Sequence, residues 1–239
     1  MSKQERAIVL LSGGLDSATA LAWSLHQGWD CHTLAFDYGQ RHRIELAASA
    51  NIAHSMGVQA HRVVQVDLRV TGGSALTEQI DVPNYAQHRH DAIPITYVPA
   101  RNLIFLSIAA GLAETVAATH IVIGANVVDY SGYPDCRPEF LDAFTTTALL
   151  GTKAGSEGKH LEINAPLIQM GKSEIIALGL SLGVDYSLTR SCYNPDSTGM
   201  PCGQCDSCHF RLEGFAQLGH QDPLNYTAIV TKESNHDHH

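Results

Sequence analysis

The hexapeptide SGGLDS, Ser12 to Ser17, constrains this chain most. It directly follows the continuous apolar run Ala7 to Leu11 and directly precedes a stretch of helical period, Ser17 to Gln27, that Gly28 ends. An all-apolar strand passing through glycines into a helix is the opening unit of a parallel sheet. At such a turn, backbone N–H groups and the positive helix end converge on an anion. Gly13 and Gly14 permit close backbone approach and positive φ, and Ser12 and Ser17 add hydroxyls. Asp16 can hold a magnesium ion against bound phosphates. Ser12, Gly13, Gly14, Leu15, Asp16 and Ser17 are therefore expected to form a phosphate-binding loop. It is not a Walker loop, which needs GxxxxGK[ST], nor a GxGxxG turn.

The rest of the chain continues the alternation. Strands are expected at Cys31 to Phe36, Arg62 to Val66, His120 to Gly124 and Glu162 to Asn164. Helices are expected at Glu45 to Met56, Leu103 to Thr119, Pro138 to Leu149, Lys172 to Leu182 and Phe210 to Leu218. The fold class is α/β, a Rossmann-like parallel sheet with helices on both faces. Asp67 to Thr96 has no clear period and reads as an excursion, of the kind usually kept for function. The expected organisation is a nucleotide-binding α/β domain over 1–186, a cysteine-rich region over 187–220, and a tail over 221–239.

Composition bears on what such a chain meets. Of 239 residues, 24 are acidic and 15 basic, a formal net charge of −9, which disfavours non-specific attraction to nucleic acid or anionic membranes. No apolar stretch is long enough to span a bilayer, and the N-terminus lacks a signal peptide's longer apolar core. A cytoplasmic protein with neither nucleic-acid nor membrane partners is expected.

Six cysteines are too few for a disulfide scaffold, and four crowd between Cys192 and Cys208. Cys192, Cys202, Cys205 and Cys208, with the tight core CGQCDSC, suit tetrahedral zinc with no open position, hence a structural metal. The same CxxCxxC core also occurs around [4Fe–4S] clusters, and disulfides rank a distant third. Cys31, on an expected strand, reads as a core thiol, and Cys136 as a packing residue.

Two cations lie where they can serve the loop. Lys172 opens a helix after the fifth strand, where its ammonium can neutralise charge on a leaving pyrophosphate. Arg101, beside Asn102 in VPARN, can clamp phosphate with its fork. Asp16, Lys172 and Arg101 are the expected catalytic residues.

With these residues in view, SGGLDS resembles the pyrophosphate loop of the ATP pyrophosphatase superfamily (adenine nucleotide alpha hydrolase type), whose members cleave ATP between the α and β phosphates and adenylate a substrate. The longer motifs narrow the likeness. GGSALT at Gly72 to Thr77, VPARN at Val98 to Asn102, GANVVDYSGYPDCRPEF at Gly124 to Phe140, LGVDYSLTRSCY at Leu182 to Tyr193 and CGQCDSC resemble the 7-cyano-7-deazaguanine synthase family of the queuosine pathway, over roughly Ala7 to Gly219. One departure is Ala100, where the family pattern has glycine.

The resemblance implies ATP-dependent conversion of 7-carboxy-7-deazaguanine and ammonia into 7-cyano-7-deazaguanine (preQ0), with zinc, magnesium and two ATP per nitrile. A homodimer is implied too. Free ammonia is the expected nitrogen source, because the first strand begins near Ala7 with no glutaminase ahead of it. For the purine-like ring, Tyr130 and Tyr133 are expected to stack, Asp135 or Glu139 to accept from a guanine-type edge, and Arg137 to meet the substrate carboxylate. Two rivals are a zinc-knuckle nucleic-acid module, disfavoured by the acidic charge and Asp206, and a transfer-RNA thiolation enzyme, which needs a sulfur carrier or a reactive cysteine where the crowded thiols here read as metal-bound.

Overall fold

Residues 4–85, 93–128 and 132–227 are described in the computed structural model. The apolar run near the N-terminus becomes β1 (Arg6–Leu10), the centre of a five-stranded, all-parallel sheet. Its other strands are β2 (Asp30–Asp37), β3 (Ala60–Gln65), β4 (His120–Val122) and β5 (Glu162–Asn164), in the order β3-β2-β1-β4-β5. The order reverses beside β1, so the carboxyl ends of β1 and β4 frame a crevice of the kind in which open α/β sheets bind ligands.

The helices are α1 (Leu15–His26), α2 (Ile44–Ser55), α3 (Arg101–Val116), α4 (Pro138–Gly151), α5 (Lys153–Ser156), α6 (Lys172–Ser181) and α7 (Asp206–Gln217). β1 is buried on both faces, which is why its sequence does not alternate with polar residues. Ile8 and Leu10 face one core with Phe105, Leu106 and Ala109 of α3 and Leu141 and Phe144 of α4. Ala7 and Val9, with Leu11 just beyond the strand, face the other, with Leu15, Ala18 and Leu21 of α1, Ile175 and Ile176 of α6 and Phe215 of α7.

Three local departures from expectation have physical causes. α3 starts two residues early because the Asp135 carboxylate accepts the Asn102 amide at 3.0 Å, a cap supplied from 33 residues away. α7 starts at Asp206 rather than Phe210 because it grows straight out of the cysteine turn, with Cys205 as its N-cap. α5 is a single turn held by Thr152, whose hydroxyl accepts from the Gly155 amide, too short for a periodic signal.

Within the stretch expected as a tail from 221, the described residues 221–227 are docked on the body of the fold. Arg211 of α7 and Asp222 form a buried ion pair at 2.6 Å, and Tyr226 donates to the same carboxylate. Arg211 also donates to the Tyr186 carbonyl and the Thr189 hydroxyl, so this network joins the segment around Asp222 to the segment leaving α6. No described helix is long and apolar enough to cross a membrane.

Candidate active site

The crevice is built around the loop from Ser12 to Ser17. Gly13 has φ 94°, and a Cβ there would lie 2.3 Å from the Glu45 carbonyl oxygen, so only glycine lets α2 close over the loop. Gly14, by contrast, is extended as the N-cap of α1 and does not need positive φ. The Ser12 and Ser17 hydroxyls lie 3.0 Å apart, and Ser17 also donates to the Gly14 carbonyl. Leu15 is buried and seats the helix start in the core.

Lys172, first residue of α6, reaches the loop: its Nζ donates to both carboxylate oxygens of Asp16, at 2.7 and 2.9 Å. The lysine is 7 % exposed and Asp16 20 %, so the pair sits at the floor of the crevice rather than on the surface. The lysine stem is confined by α7, where a Cβ on Gly214 would come within 2.8 Å of Lys172 Cγ.

Arg101 closes the opposite wall, lining one cavity with Ser12, Asp16, Tyr38, Glu45, Tyr133 and Lys172. Burial works against its charge, but Tyr38, Tyr133 and Asp135 more than offset that, and the pKa is raised. Ala100 just before it has φ 57°, ψ 19°, a left-handed conformation in a residue with a Cβ, at the position where glycine was expected.

The segment expected to read the ring is only partly in this cavity. Tyr130 lies outside the described residues. Tyr133 lines the cavity, buried, its hydroxyl 2.7 Å from that of Thr96. Asp135 is buried behind the wall, spent on capping α3. Arg137 and Glu139 are exposed and do not line the cavity; the Arg137 guanidinium donates to the Pro134 carbonyl. Burial pushes the Cys136 thiol up to about 11 and the Cys31 thiol up to about 12, so both remain protonated packing groups at neutral pH.

The sulfurs of Cys192, Cys202, Cys205 and Cys208 all lie within 4.8 Å of one another, with two pairs at 4.0 Å. A Zn–S bond of about 2.3 Å in a tetrahedron separates sulfurs by about 3.8 Å, so one metal ion such as zinc fits them. An iron–sulfur cube would hold them farther apart. The amides of Asn194 and Cys202 donate to Cys192 Sγ, and those of Gln204 and Cys205 to Cys202 Sγ, the pattern that supports thiolates. Gly203, φ 75°, makes the turn between them.

Residues 6–219 match the family model described as Queuosine biosynthesis protein QueC. The chain belongs to this family. A 7-cyano-7-deazaguanine synthase of Pseudomonas putida is 54% identical over 224 residues, covering 93% of this chain and 99% of the relative. Those of Saccharophagus degradans and Kineococcus radiotolerans are each 55% identical, covering 93% and 92% of this chain and 98% and 97% of the relatives.

Three contributors to the site of this QueC-family chain escaped sequence reasoning. Gly124 follows β4, and a Cβ there would sit 3.0 Å from the backbone of Asp16 and Ser17, so β4 passes the loop with no room for a side chain. The Arg190 amide donates to the Gly13 carbonyl at 2.8 Å, two residues before the first cysteine, tying the cysteine site to the loop. Glu45 lines the cavity from α2. Only Gly124 left a signal, a glycine directly after an apolar strand; the other two depend on where distant segments land.

Proposed function

We propose that this chain is an ATP-dependent carbon–nitrogen ligase that converts 7-carboxy-7-deazaguanine and ammonia into 7-cyano-7-deazaguanine, acting as a cytoplasmic homodimer in queuosine biosynthesis. The observation that carries the reading is the Asp16–Lys172 pair on the floor of a cavity fed by a strand-to-helix loop, in a chain more than half identical to synthases of that name over nearly their whole length. A carboxylate resists attack by ammonia because it has no good leaving group. Transfer of AMP to it supplies one, and a second adenylation on the amide oxygen lets AMP leave again to give the nitrile.

In this reading Ser12, Gly13, Gly14, Leu15 and Ser17 cradle the pyrophosphate and Lys172 faces the charge that builds on it. Arg101 holds the α phosphate or the acid being activated. Asp16 would hold the magnesium that accompanies ATP, which when bound would neutralise charge on the phosphate oxygens. Cys192, Cys202, Cys205 and Cys208 would hold zinc as a structural ion, since four thiolates leave no open position, and the Arg190 amide joins that region to the wall of the loop. Tyr133, together with Tyr130, is assigned to stacking on the ring. The remaining expected substrate contacts, Asp135, Arg137 and Glu139, support the shape of that segment.

The test is to incubate the protein with ATP, magnesium, ammonium and the carboxylated deazaguanine, following amide, nitrile and AMP by mass spectrometry. All three are expected, with two AMP per nitrile. AMP formation that ignores the acid would refute the assignment.

A further inference from the structure

We propose that Glu45 is the proton acceptor that turns incoming ammonium into the ammonia that attacks the activated acid, in a cavity that His42 also lines. This rests on the ligase reading above and adds a residue that neither the loop nor the cysteines supply.

The need is chemical. At neutral pH the nitrogen donor is almost entirely ammonium, which has no lone pair and cannot form a C–N bond. Lys172, Arg101 and Arg190 also line the cavity, so a further cation there is stabilised only against a carboxylate. An ammonium entering here must be met by a carboxylate and leave as a neutral molecule. Asp16 is already bonded through both oxygens to Lys172. Tyr38 and Cys136 are driven toward their protonated forms, first by burial. Glu45 is the remaining carboxyl among the described lining residues.

Its placement suits the task. Glu45 sits in the first turn of α2, the helix that closes over Gly13, so it is held against the phosphate loop by the contact that requires glycine there. Arg101 of α3 faces it, as does Tyr38 from the segment after β2, while His42, in the coil ahead of α2, lines the same cavity. Burial raises the Glu45 carboxyl to about 7, with Arg101 pulling the other way, close to the value at which a base both exists ionised and takes a proton readily. The His42 Nε2 atom is buried with no hydrogen-bond partner among the described residues, and burial together with Arg41 lowers the pKa of its ring. A neutral imidazole nitrogen can accept a hydrogen bond from the incoming nitrogen without adding charge to the cavity.

The step balances as follows. The Glu45 carboxylate takes one proton from ammonium, leaving ammonia and a neutral carboxylic acid. The ammonia lone pair forms the C–N bond to the acyl carbon. The C–O bond to AMP breaks, its electron pair leaving with AMP. The nitrogen then sheds one further proton to water to give the amide, and Glu45 returns its own proton to water between turnovers.

Hydroxylamine tests this, because it is already uncharged at neutral pH and needs no acceptor. Wild type and Glu45→Gln are given ATP, magnesium and the acid with either ammonium or hydroxylamine, and amide and hydroxamate are measured across roughly pH 6 to 9. Glu45→Gln is expected to raise the hydroxamate-to-amide ratio by about tenfold or more and to lose the rise in amide rate near neutrality. Glu45→Asp, which keeps the carboxylate, is expected to bring the ratio back toward wild type. An unchanged ratio, an unchanged pH profile, or loss of both products in Glu45→Gln overturns the proposal. If wild type makes neither product, it is the ligase reading that fails.

Discussion

Lys172 and Asp16 lie 156 residues apart in the chain and meet at 2.7 Å on the floor of the crevice. The pair joins α6 to the start of α1, so the loop and the helix behind it act as one unit. Removing the ammonium leaves a largely buried carboxylate without its cation. Lys172→Met is expected to reduce AMP formation by about a hundredfold or more and to cost about 3 kcal/mol of stability, the lower end for a broken buried pair because Asp16 keeps some exposure. Acid-dependent pyrophosphate release and a urea melt measure the two effects. Unchanged turnover would remove Lys172 from the chemistry.

Ala100 carries a left-handed backbone at the entry to α3, a conformation that costs an L-residue about 1 kcal/mol or more and glycine almost nothing. Ala100→Gly is therefore expected to stabilise the protein by about 1 kcal/mol, a rise of about 2–4 °C in Tm. A calorimetric scan checks this. A fall in Tm would mean that the cap is held by something other than local geometry.

The Glu45 carboxyl gives a signed pH effect. Its folded pKa, about 7, lies above the ordinary carboxylate value, so the folded protein binds more protons than the unfolded chain between roughly 4.5 and 7. Stability from this group is thus present at low pH and lost as pH rises through that window. Glu45→Gln removes the effect, so it should match wild type near pH 4.5 and exceed it by about 2 kcal/mol above pH 7, a figure reduced for the group's partial exposure. Melts of the two proteins across this range decide it. A difference that does not grow with pH would contradict the burial of the carboxyl.

Much of this arrangement was legible in the residues, and what was not has a common cause. β1, the phosphate loop, the cysteine quartet and the helix opened by Lys172 each carry a local signal: an apolar run, glycines at a turn, a spacing of thiols. The cap on Asn102, the Arg190 bond to Gly13 and the wall formed by Glu45 are made between segments 32 to 177 residues apart, and no local pattern encodes them. Arg137 and Glu139 show the converse. Charge in a distinctive motif drew attention to them, yet α4 begins there and turns both outward. The docking of the segment around Asp222 was hidden because Asp222 reads as a surface residue until Arg211 is found buried beside it.

That ion pair is testable. Asp222→Ala leaves the Arg211 guanidinium buried and uncompensated and is expected to cost about 3–5 kcal/mol. Chemical denaturation measures the loss. A cost below about 1 kcal/mol would mean that the pair is solvated in solution.

Metal loss should be felt at the loop. Cys205→Ser is expected to lower bound zinc well below one per chain, reduce Tm and weaken nucleotide turnover, because Cys192 and Arg190 belong to one short segment that also holds Gly13. Metal analysis beside a thermal melt reports both. A stable, metal-free, fully active variant would show that the cysteines are dispensable to the site.

The most direct measurement follows the oxygens. When 7-carboxy-7-deazaguanine labelled with 18O in both carboxylate positions is turned over with ATP and ammonium, adenylation of the acid and then of the amide sends each labelled oxygen into a separate AMP. Mass spectrometry should find two singly labelled AMP molecules for every nitrile and unlabelled pyrophosphate. Label in phosphate, pyrophosphate or water instead of AMP would contradict the account.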